Sequence, residues 1–165
     1  MRKYIKKLKR FIYTKKVKRT IKEYVEPLYV NNKTFLTSNT KLGKNCHFNG
    51  MEITGKGLVS IGDNFHSGTD CLIITQFHNY DKGDSIPYDS TYITKNVMIE
   101  DNVWLGSRVL ILGGVTIGEG AIIQAGAVVV SDIPKYGIAG GNPAKVFKYR
   151  DIEHYEECKS LEKFH

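Results

Sequence analysis

His78 is the side chain of this sequence best suited to acid–base chemistry. It lies between the polar residues Gln76 and Asn79, where a regular pattern gives way to a polar segment at 79–92 that contains glycine and proline. An imidazole titrates at about pH 6.5 and can take a proton from a hydroxyl group. We therefore predict that His78 is a general base; the alternative is a surface loop histidine without a chemical role.

Two acids follow His78 in the same segment, Asp81 and Asp84. Either carboxylate could orient the imidazole or contact a substrate, although loop acids are more often solvated. Long loops on rigid scaffolds are usually functional or disordered. The three tyrosines Tyr80, Tyr88 and Tyr92 favour order in this one.

The elements that must position this histidine follow a period of six residues. An aliphatic residue returns at every sixth position from residue 93 onwards: Ile93, Ile99, Leu105, Ile111, Ile117, Ile123 and Val129. A second series, offset by four residues, holds only small or β-branched apolar residues: Val97, Val103, Val109, Val115, Ala121, Ala127 and Ile133. The same phase occurs earlier, at Ile61, Ser67 and Ile73. Neither a helix nor a lone strand has this period.

A period of six is typical of short strands joined by bends at Gly, Asn or Asp. Three units would form a triangular coil, and stacked coils would pair strand to strand in parallel at about 4.8 Å. We therefore predict an all-β core built as a parallel β-helix, with both aliphatic series inside. Cys46 and Cys71 fall on inward positions, so we expect buried thiols and no disulfide.

Composition and charge limit the classes of function. The chain has 165 residues, 41% hydrophobic and 25% charged, which fits one globular domain and excludes wholesale disorder. Residues 1–22 hold 11 of the 24 Lys and Arg residues and no acid, whereas residues 23–165 hold 13 basic and 17 acidic residues. The net charge of +7 thus describes an arm, and we expect no nucleic-acid partner. No apolar run exceeds four residues, so we expect neither a membrane span nor a secretion signal, but a reduced, cytoplasmic setting.

Three features besides the hexads identify a family that this sequence resembles. They are the loop after His78, the sequence Asn-Val-Trp-Leu-Gly-Ser at 102–107, and Ala-Gly-Gly-Asn-Pro-Ala-Lys at 139–145. Together they resemble the hexapeptide-repeat acyltransferases, in particular the maltose/galactoside and capsular-polysaccharide O-acetyltransferases, over about residues 42–148. The resemblance implies a left-handed parallel β-helix, a homotrimer and acetyl-coenzyme A as acyl donor. The handedness comes from the resemblance alone, since parallel crossovers are usually right-handed.

The resemblance also implies residues for the acceptor side of a site. His78 matches the family's general base, and Asn49 matches an asparagine that contacts the sugar acceptor, with a simple turn asparagine as the alternative. Asp81 is a further candidate for acceptor contact. Trp104, the only tryptophan, is expected to point outward and to cover a sugar, the cofactor or a partner subunit.

The donor side would be lined by Gly106, Ser107 and Ala125. A cofactor arm that lies along a wall needs small side chains and free backbone N–H groups, and an amide near Ser107 would stabilise the oxyanion. Lys145 and Lys148 match basic residues that meet the phosphates of coenzyme A, with two ordinary surface lysines as the alternative.

Counting hexads gives a separate expectation about this site. With the loop left out, Thr75, Ser107 and Ala125 take equivalent positions in hexads that begin at Ile73, Leu105 and Ile123. We therefore expect these three residues to stack in one column, on the same face as His78.

His47 and His66 could indicate a metal site instead, because they lie 19 residues apart, about one coil. The zinc-dependent carbonic anhydrases that resemble this chain in architecture use three histidines, two of them with four residues between. That spacing is missing from this sequence. We therefore expect outward polar histidines and no metal.

The two ends of the chain differ from the repeat. We divide the chain into a basic amphipathic helical arm at 1–35, a β-helix at 36–134 with its loop at 79–92, and a turn and short helix at 135–165. Two apolar helical faces are expected in the arm, one of them Ile5, Leu8 and Ile12, the other Val17, Ile21 and Val25. Such an arm could cap the β-helix, contact an anionic membrane surface peripherally, or do both.

Three functions remain open from the sequence. The first is transfer of an acetyl group from acetyl-coenzyme A to a hydroxyl of a sugar or lipid-linked saccharide. The second is N-acetylation of an aminosugar, or acylation of another small acceptor, for which the same base would serve. The third is a trimeric scaffold without activity, which a histidine beside a loop disfavours.

Overall fold

The computed structural model describes residues 2–165, in which short strands and tight bends alternate between two terminal helices. The elements in chain order are α1 (Arg2–Thr20), β1 (Glu23–Tyr24), β2 (Leu28–Val30), β3 (Thr40–Leu42), β4 (Cys46–Phe48), β5 (Met51–Thr54), β6 (Val59–Ile61), β7 (His66–Ser67), β8 (Cys71–Ile74), β9 (Gln76–His78), β10 (Tyr92–Thr94), β11 (Val97–Ile99), β12 (Trp104–Leu105), β13 (Leu110–Leu112), β14 (Thr116–Ile117), β15 (Ile122–Ile123), β16 (Val128–Val129), β17 (Gly137–Gly140), β18 (Lys145–Tyr149) and α2 (Ile152–Ser160).

The strands form three walls that meet at bends. The first wall contains β1, β3, β6, β11 and β14, the second β2, β4, β7, β12, β15, β17 and β18, and the third β5, β8, β13 and β16. Pairing within the walls is parallel except between β17 and β18. The chain thus winds as the predicted left-handed parallel β-helix, with about six turns.

Both aliphatic series line the interior of this β-helix. Every member from Val97 to Ile133 is at most 3% exposed. Cys46 and Cys71 are also buried and carry free thiols, as predicted. Burial raises the pKa of the Cys46 thiol to about 12. Ile93 is the exception in the first series, because it lies in β10, which pairs antiparallel with β9 outside the walls.

The coil that contains the loop is longer than the hexad count predicts. Equivalent positions lie 38 residues apart across it, against 18 or 19 in neighbouring coils. The chain leaves the third wall at Thr75 and returns at Lys95, whose backbone N–H donates to the Thr75 carbonyl at 2.9 Å. The excursion from the coil is therefore six residues, or one hexad, longer than the loop predicted at 79–92.

The expected column of Thr75, Ser107 and Ala125 is wrong for this reason. Leu105 pairs with Ser67 and with Ile123, whereas Ile73 pairs with Ile111. Ser107 and Ala125 therefore stack at one corner above Thr69, and Thr75 lies at the next corner, where the third wall ends.

The corner between the first and second walls carries a ladder of three asparagines. Asn45, Asn64 and Asn102 all adopt left-handed backbone conformations, with φ between 54° and 60°, which asparagine tolerates better than most residues. Each amide donates to the next, at 2.9 Å from Asn45 to Asn64 and from Asn64 to Asn102. The Asn102 amide then donates to the Tyr155 hydroxyl of α2 at 2.9 Å, so the ladder ties α2 to the coils.

The ends of the stack depart from the predicted boundaries. The arm forms a single helix, α1, and β1 and β2 already pair with β3 and β4, so the β-helix begins before residue 36. At the other end β17 extends the second wall beyond residue 134 and turns back into β18. The predicted C-terminal helix is α2, capped by the Asp151 carboxylate, which accepts from the His154 N–H at 3.0 Å. Neither helix within residues 2–165 has the length and apolar character to cross a bilayer.

Candidate active site

His78 lies at the end of β9, where the hairpin of β9 and β10 opens into the loop. Its ring stacks on Tyr88, with 3.8 Å between centroids and 17° between planes, and meets the Tyr92 ring at 4.7 Å. Tyr92 stands directly opposite His78 in the hairpin register. The Nδ1 atom of His78 is buried and has no hydrogen-bond partner within residues 2–165. Two aromatic rings thus fix the imidazole, and its buried Nδ1 atom takes no part in holding it.

The loop itself is organised by Asp89, which sequence analysis missed. One carboxylate oxygen accepts from the Thr91 backbone N–H at 2.8 Å and from its hydroxyl at 2.5 Å, and the other accepts from the Asp84 N–H at 3.1 Å. The bond from the Thr91 hydroxyl is the main reason why the pKa of Asp89 is lowered. The spacing of an acid two residues before a threonine is typical of such a turn and was present in the sequence.

Asp81 and Asp84 do not orient His78. Both side chains are exposed, and among the described residues no hydrogen bond joins either one to the imidazole. The position of His78 therefore depends on ring stacking rather than on a carboxylate partner.

Gly106, Ser107 and Ala125 lie together at the bend between the second and third walls, which we call the small-residue corner. A Cβ on Gly106 would lie 2.5 Å from the backbone nitrogen of Ala125, so only glycine allows the coils to approach this closely. The Ser107 hydroxyl accepts from the N–H and the hydroxyl of Thr69, both at 3.2 Å. No hydrogen bond within the described chain uses the backbone N–H of Ser107 or Ala125. The corner is thus a shallow track with two free amides.

The two lysines lie on β18, at different distances from this track. Gly140 on β17 is the register partner of Lys145, and it lies against the Gln124 side chain. Lys145 therefore lies near the end of the small-residue corner. Lys148 pairs with Ile138 and lines a cavity on the second wall. Both side chains are exposed.

Trp104 lies in that cavity, which has a volume of about 710 Å³ and separates the second wall from α2. Its indole is 52% exposed. The cavity floor is apolar, with Ile122 and Ile138, and Arg150 lies at its rim. Trp104 therefore faces outward, as predicted, on a different wall from the loop.

Asn49 joins coils through its side chain. Its amide nitrogen donates to the Ser67 carbonyl at 2.7 Å, and its amide oxygen accepts from Asn31 at 3.0 Å. These bonds fulfil the role of a bend asparagine, and they leave one hydrogen and one lone pair of the amide for a ligand.

His47 and His66 stack on neighbouring coils, with 4.3 Å between ring centroids. Burial, followed by the charge of His66, lowers the pKa of His47 to about 4, and burial also lowers the pKa of His66. The His47 Nε2 atom lies 3.1 Å from the Asn45 amide oxygen. Across residues 2–165 no group of three or more His, Cys, Asp or Glu side chains is placed to hold a metal ion.

The small-residue corner and the loop corner stand at opposite edges of the third wall. Leu112 pairs with Ile74, so Gly113 marks the edge at which the loop leaves. Ser107 and Gly113 are six positions apart, a length over which a fully extended strand would cover about 20 Å at most. A single chain therefore presents its track and its histidine on separate corners.

Comparison with known proteins shows which of them share this architecture. The family model for the bacterial transferase hexapeptide, described as six repeats, matches residues 96–131. This part of the chain thus carries hexapeptide repeats. A protein of Staphylococcus aureus (strain MRSA252) that bears the name "putative acetyltransferase" is 39% identical over 124 residues, which are 70% of this chain and 57% of that protein. The chain spans about half the length of the curated relatives it matches.

Solved hexapeptide-repeat structures are similar over more of the chain. A maltose O-acetyltransferase from Clostridium difficile 630 is 28% identical, with a TM-score of 0.67 over 90% of this chain and 85% of that one. A galactoside acetyltransferase in complex with coenzyme A is 30% identical, with a TM-score of 0.64 over 82% of this chain and 66% of that one. The resemblance to the maltose and galactoside branch is therefore confirmed.

Proposed function

We propose that this chain transfers an acetyl group from acetyl-coenzyme A to a hydroxyl group of a sugar or saccharide precursor, with His78 as the general base. The observation that carries the proposal is the placement of His78 at the mouth of the loop, where the rings of Tyr88 and Tyr92 hold the imidazole and no side chain of the described chain is hydrogen-bonded to its Nδ1 atom. The acetyltransferase names of the relatives support the class of reaction.

His78 would act on the acceptor side. Stacking between Tyr88 and Tyr92 holds the imidazole plane, so little rotational freedom is lost when the acceptor binds. The ring takes the hydroxyl proton as the oxygen attacks, and then gives it to the leaving thiolate. Acetyl-coenzyme A would supply the acetyl group as a thioester, whose C–S bond breaks as the ester forms.

The small-residue corner fits the donor. A pantetheine arm could lie along Gly106, Ser107 and Ala125, because no large side chain rises there and two amides are free. The Ser107 N–H would donate to the carbonyl oxygen that gains negative charge during transfer. Lys145, near the end of the same track, would face the phosphates, and Lys148 would extend this charge toward Trp104.

A homotrimer is part of the same proposal. Since the track and the loop corner lie at opposite edges of the third wall in one chain, the donor and the base would meet only across an interface between subunits. His78 of one subunit would then face the small-residue corner of its neighbour. A cytoplasmic setting, where acetyl-coenzyme A is available, belongs to this proposal as well.

The test is acetyl transfer from acetyl-coenzyme A to a panel of sugars and aminosugars. We expect transfer to a hydroxyl and a loss of about 10²–10⁴-fold in turnover for His78→Ala, with coenzyme A binding retained. His47→Gln is the matched control, since it removes a structural histidine. Transfer to amines alone would contradict the O-acetyl proposal, and more than a tenth of the activity in His78→Ala would contradict the base.

A further inference from the structure

One face of helix α1 packs against the first coils of the β-helix. Val17 and Ile21 are 2% and 4% exposed against the first coils, and Tyr13 packs beside them. The Thr14 hydroxyl accepts from the Val30 N–H at 3.0 Å, and Arg10 Nε donates to Asn31 at 2.7 Å. This face caps the end of the β-helix, which is one of the two roles expected for the arm.

A second apolar face points the opposite way. Its members are between 41% and 78% exposed: Tyr4, Ile5, Leu8, Phe11 and Ile12. At 100° per residue, these five side chains fall within an arc of about 120° whose centre lies about 180° from Val17. The capping face and this outer face are therefore on opposite sides of one straight helix, and nothing within the described chain covers the outer one.

The charge around the outer face is of one sign. Exposed lysines flank it, among them Lys7, Lys9 and Lys16, and no acid occurs before Glu23. A second copy of α1 is a poor partner, because it would bring an equal density of positive charge against the first. A partner that covers this face must therefore offer both an apolar interior for the exposed side chains and negative charge for the lysines.

An anionic lipid bilayer has this combination. A helix with basic residues beside an apolar stripe lies in the plane of the lipid headgroups, with its apolar side chains at the acyl boundary. We propose that α1 attaches the protein to an anionic membrane surface through this outer face, while its other face holds the β-helix. The attachment is independent of the proposed acetyl transfer, since it uses no residue of the candidate site.

The test is co-sedimentation of the full chain with vesicles. Neutral phosphatidylcholine vesicles are compared with vesicles containing about 30% phosphatidylserine, at low salt and at about 0.5 M salt. We expect the chain to pellet with the anionic vesicles at low salt, to pellet weakly with neutral ones, and to be released by salt. Failure to pellet with anionic vesicles at low salt would overturn the proposal.

Two variants separate insertion from general charge attraction. Leu8→Glu changes the outer face without touching the capping face, and we expect its vesicle affinity to fall at least tenfold with an unchanged circular dichroism spectrum. Ile86→Glu, at an isoleucine that is 95% exposed on the loop, is the matched control and should bind as the parent does. Equal binding by Leu8→Glu would overturn the proposal, and so would a vesicle-free assembly of the parent larger than that of Leu8→Glu, since a second copy would then cover the face.

Discussion

The imidazole of His78 and the phenol of Tyr88 stack with 3.8 Å between their centroids and 17° between their planes. The two residues are ten apart in the sequence and meet because Asp89 turns the loop back toward the hairpin through its bonds to Thr91 and Asp84. No carboxylate of the described chain is hydrogen-bonded to the imidazole, so its orientation depends on the contact area of the rings. The loop thus supports the side chain that we propose as the base.

Removing the Tyr88 ring should therefore impair catalysis more than donor binding. For Tyr88→Leu we expect turnover to fall about tenfold or more, because the imidazole gains freedom before the reaction, with little change in KM for acetyl-coenzyme A. Steady-state kinetics with each substrate varied in turn measures both quantities. Tyr80→Leu, at a tyrosine 71% exposed on the same loop, is the control; equal effects of the two changes would refute the role of stacking.

Substitution by alanine should lower the free energy of unfolding more at Gly106 than at Gly126, which lies at the same corner one coil later. A Cβ on Gly106 would meet three backbone atoms within 3.0 Å, so the coils would have to separate, at a cost of about 3 kcal/mol. Gly126 has nothing within 4 Å and only a left-handed φ of 75°, which costs alanine about 1 kcal/mol. Urea unfolding of the two variants compares these costs; a larger loss in Gly126→Ala would contradict the close packing of the corner.

The stability of the fold should decrease in mild acid because of His47. Burial lowers its pKa from 6.5 to about 4 in the folded protein, so the unfolded chain binds more protons between these values. Stability from this group is therefore complete above about pH 6.5 and is lost as the pH falls toward 4. We expect a lower melting temperature at about pH 5 than at about pH 7.5, and a smaller decrease in His47→Phe, which keeps the ring.

His154→Phe controls for the loss of a histidine as such, since its side chain is exposed on α2. An equal decrease in His47→Phe and in the parent chain would contradict the assignment to His47. Part of the decrease should persist in His47→Phe, because the pKa of His66 is lowered too.

The three cysteines should differ sharply in reactivity. Cys46 and Cys71 are at most 2% exposed and burial raises the pKa of each thiol, whereas Cys158 is half-buried at the surface. We expect one thiol to react quickly with an aromatic disulfide reagent in the native protein and three after unfolding. Cys158→Ser should abolish the fast phase. Any thiol that still reacts quickly in that variant would show that the coils open.

The hexad pattern predicted the interior of the β-helix well, because inward positions recur at fixed spacing along each coil. It did not predict how the loop coil continues. Ile93 keeps the phase of the repeat although it pairs antiparallel with Phe77, and spacing along a chain carries no information on pairing direction. The column assigned to Thr75 failed for this reason, whereas Ser107 and Ala125, which follow the loop in uninterrupted hexads, were placed together correctly.

Contacts that depend on the path of irregular backbone were not predictable either. Tyr88 acquires its role only from the fold of the loop, which brings it onto His78. Tyr155 meets Asn102 only because α2 returns across the second wall. The sequence marks these residues as aromatic or polar, but their partners lie 10 to 53 positions away.

The loop coil rejoins the stack without disturbing it. Val97 lies opposite Val59 in the same register as Val59 lies opposite Thr40, one coil earlier. The excursion is closed at its base by the bond between Thr75 and Lys95 and by the pairing of β9 with β10, and the entropy of a closed loop grows only slowly with its length. The loop is therefore an exchangeable module: a segment of different length could join these two residues while the coils on either side keep their register, so that under the proposed function the acceptor could change without any change at the small-residue corner.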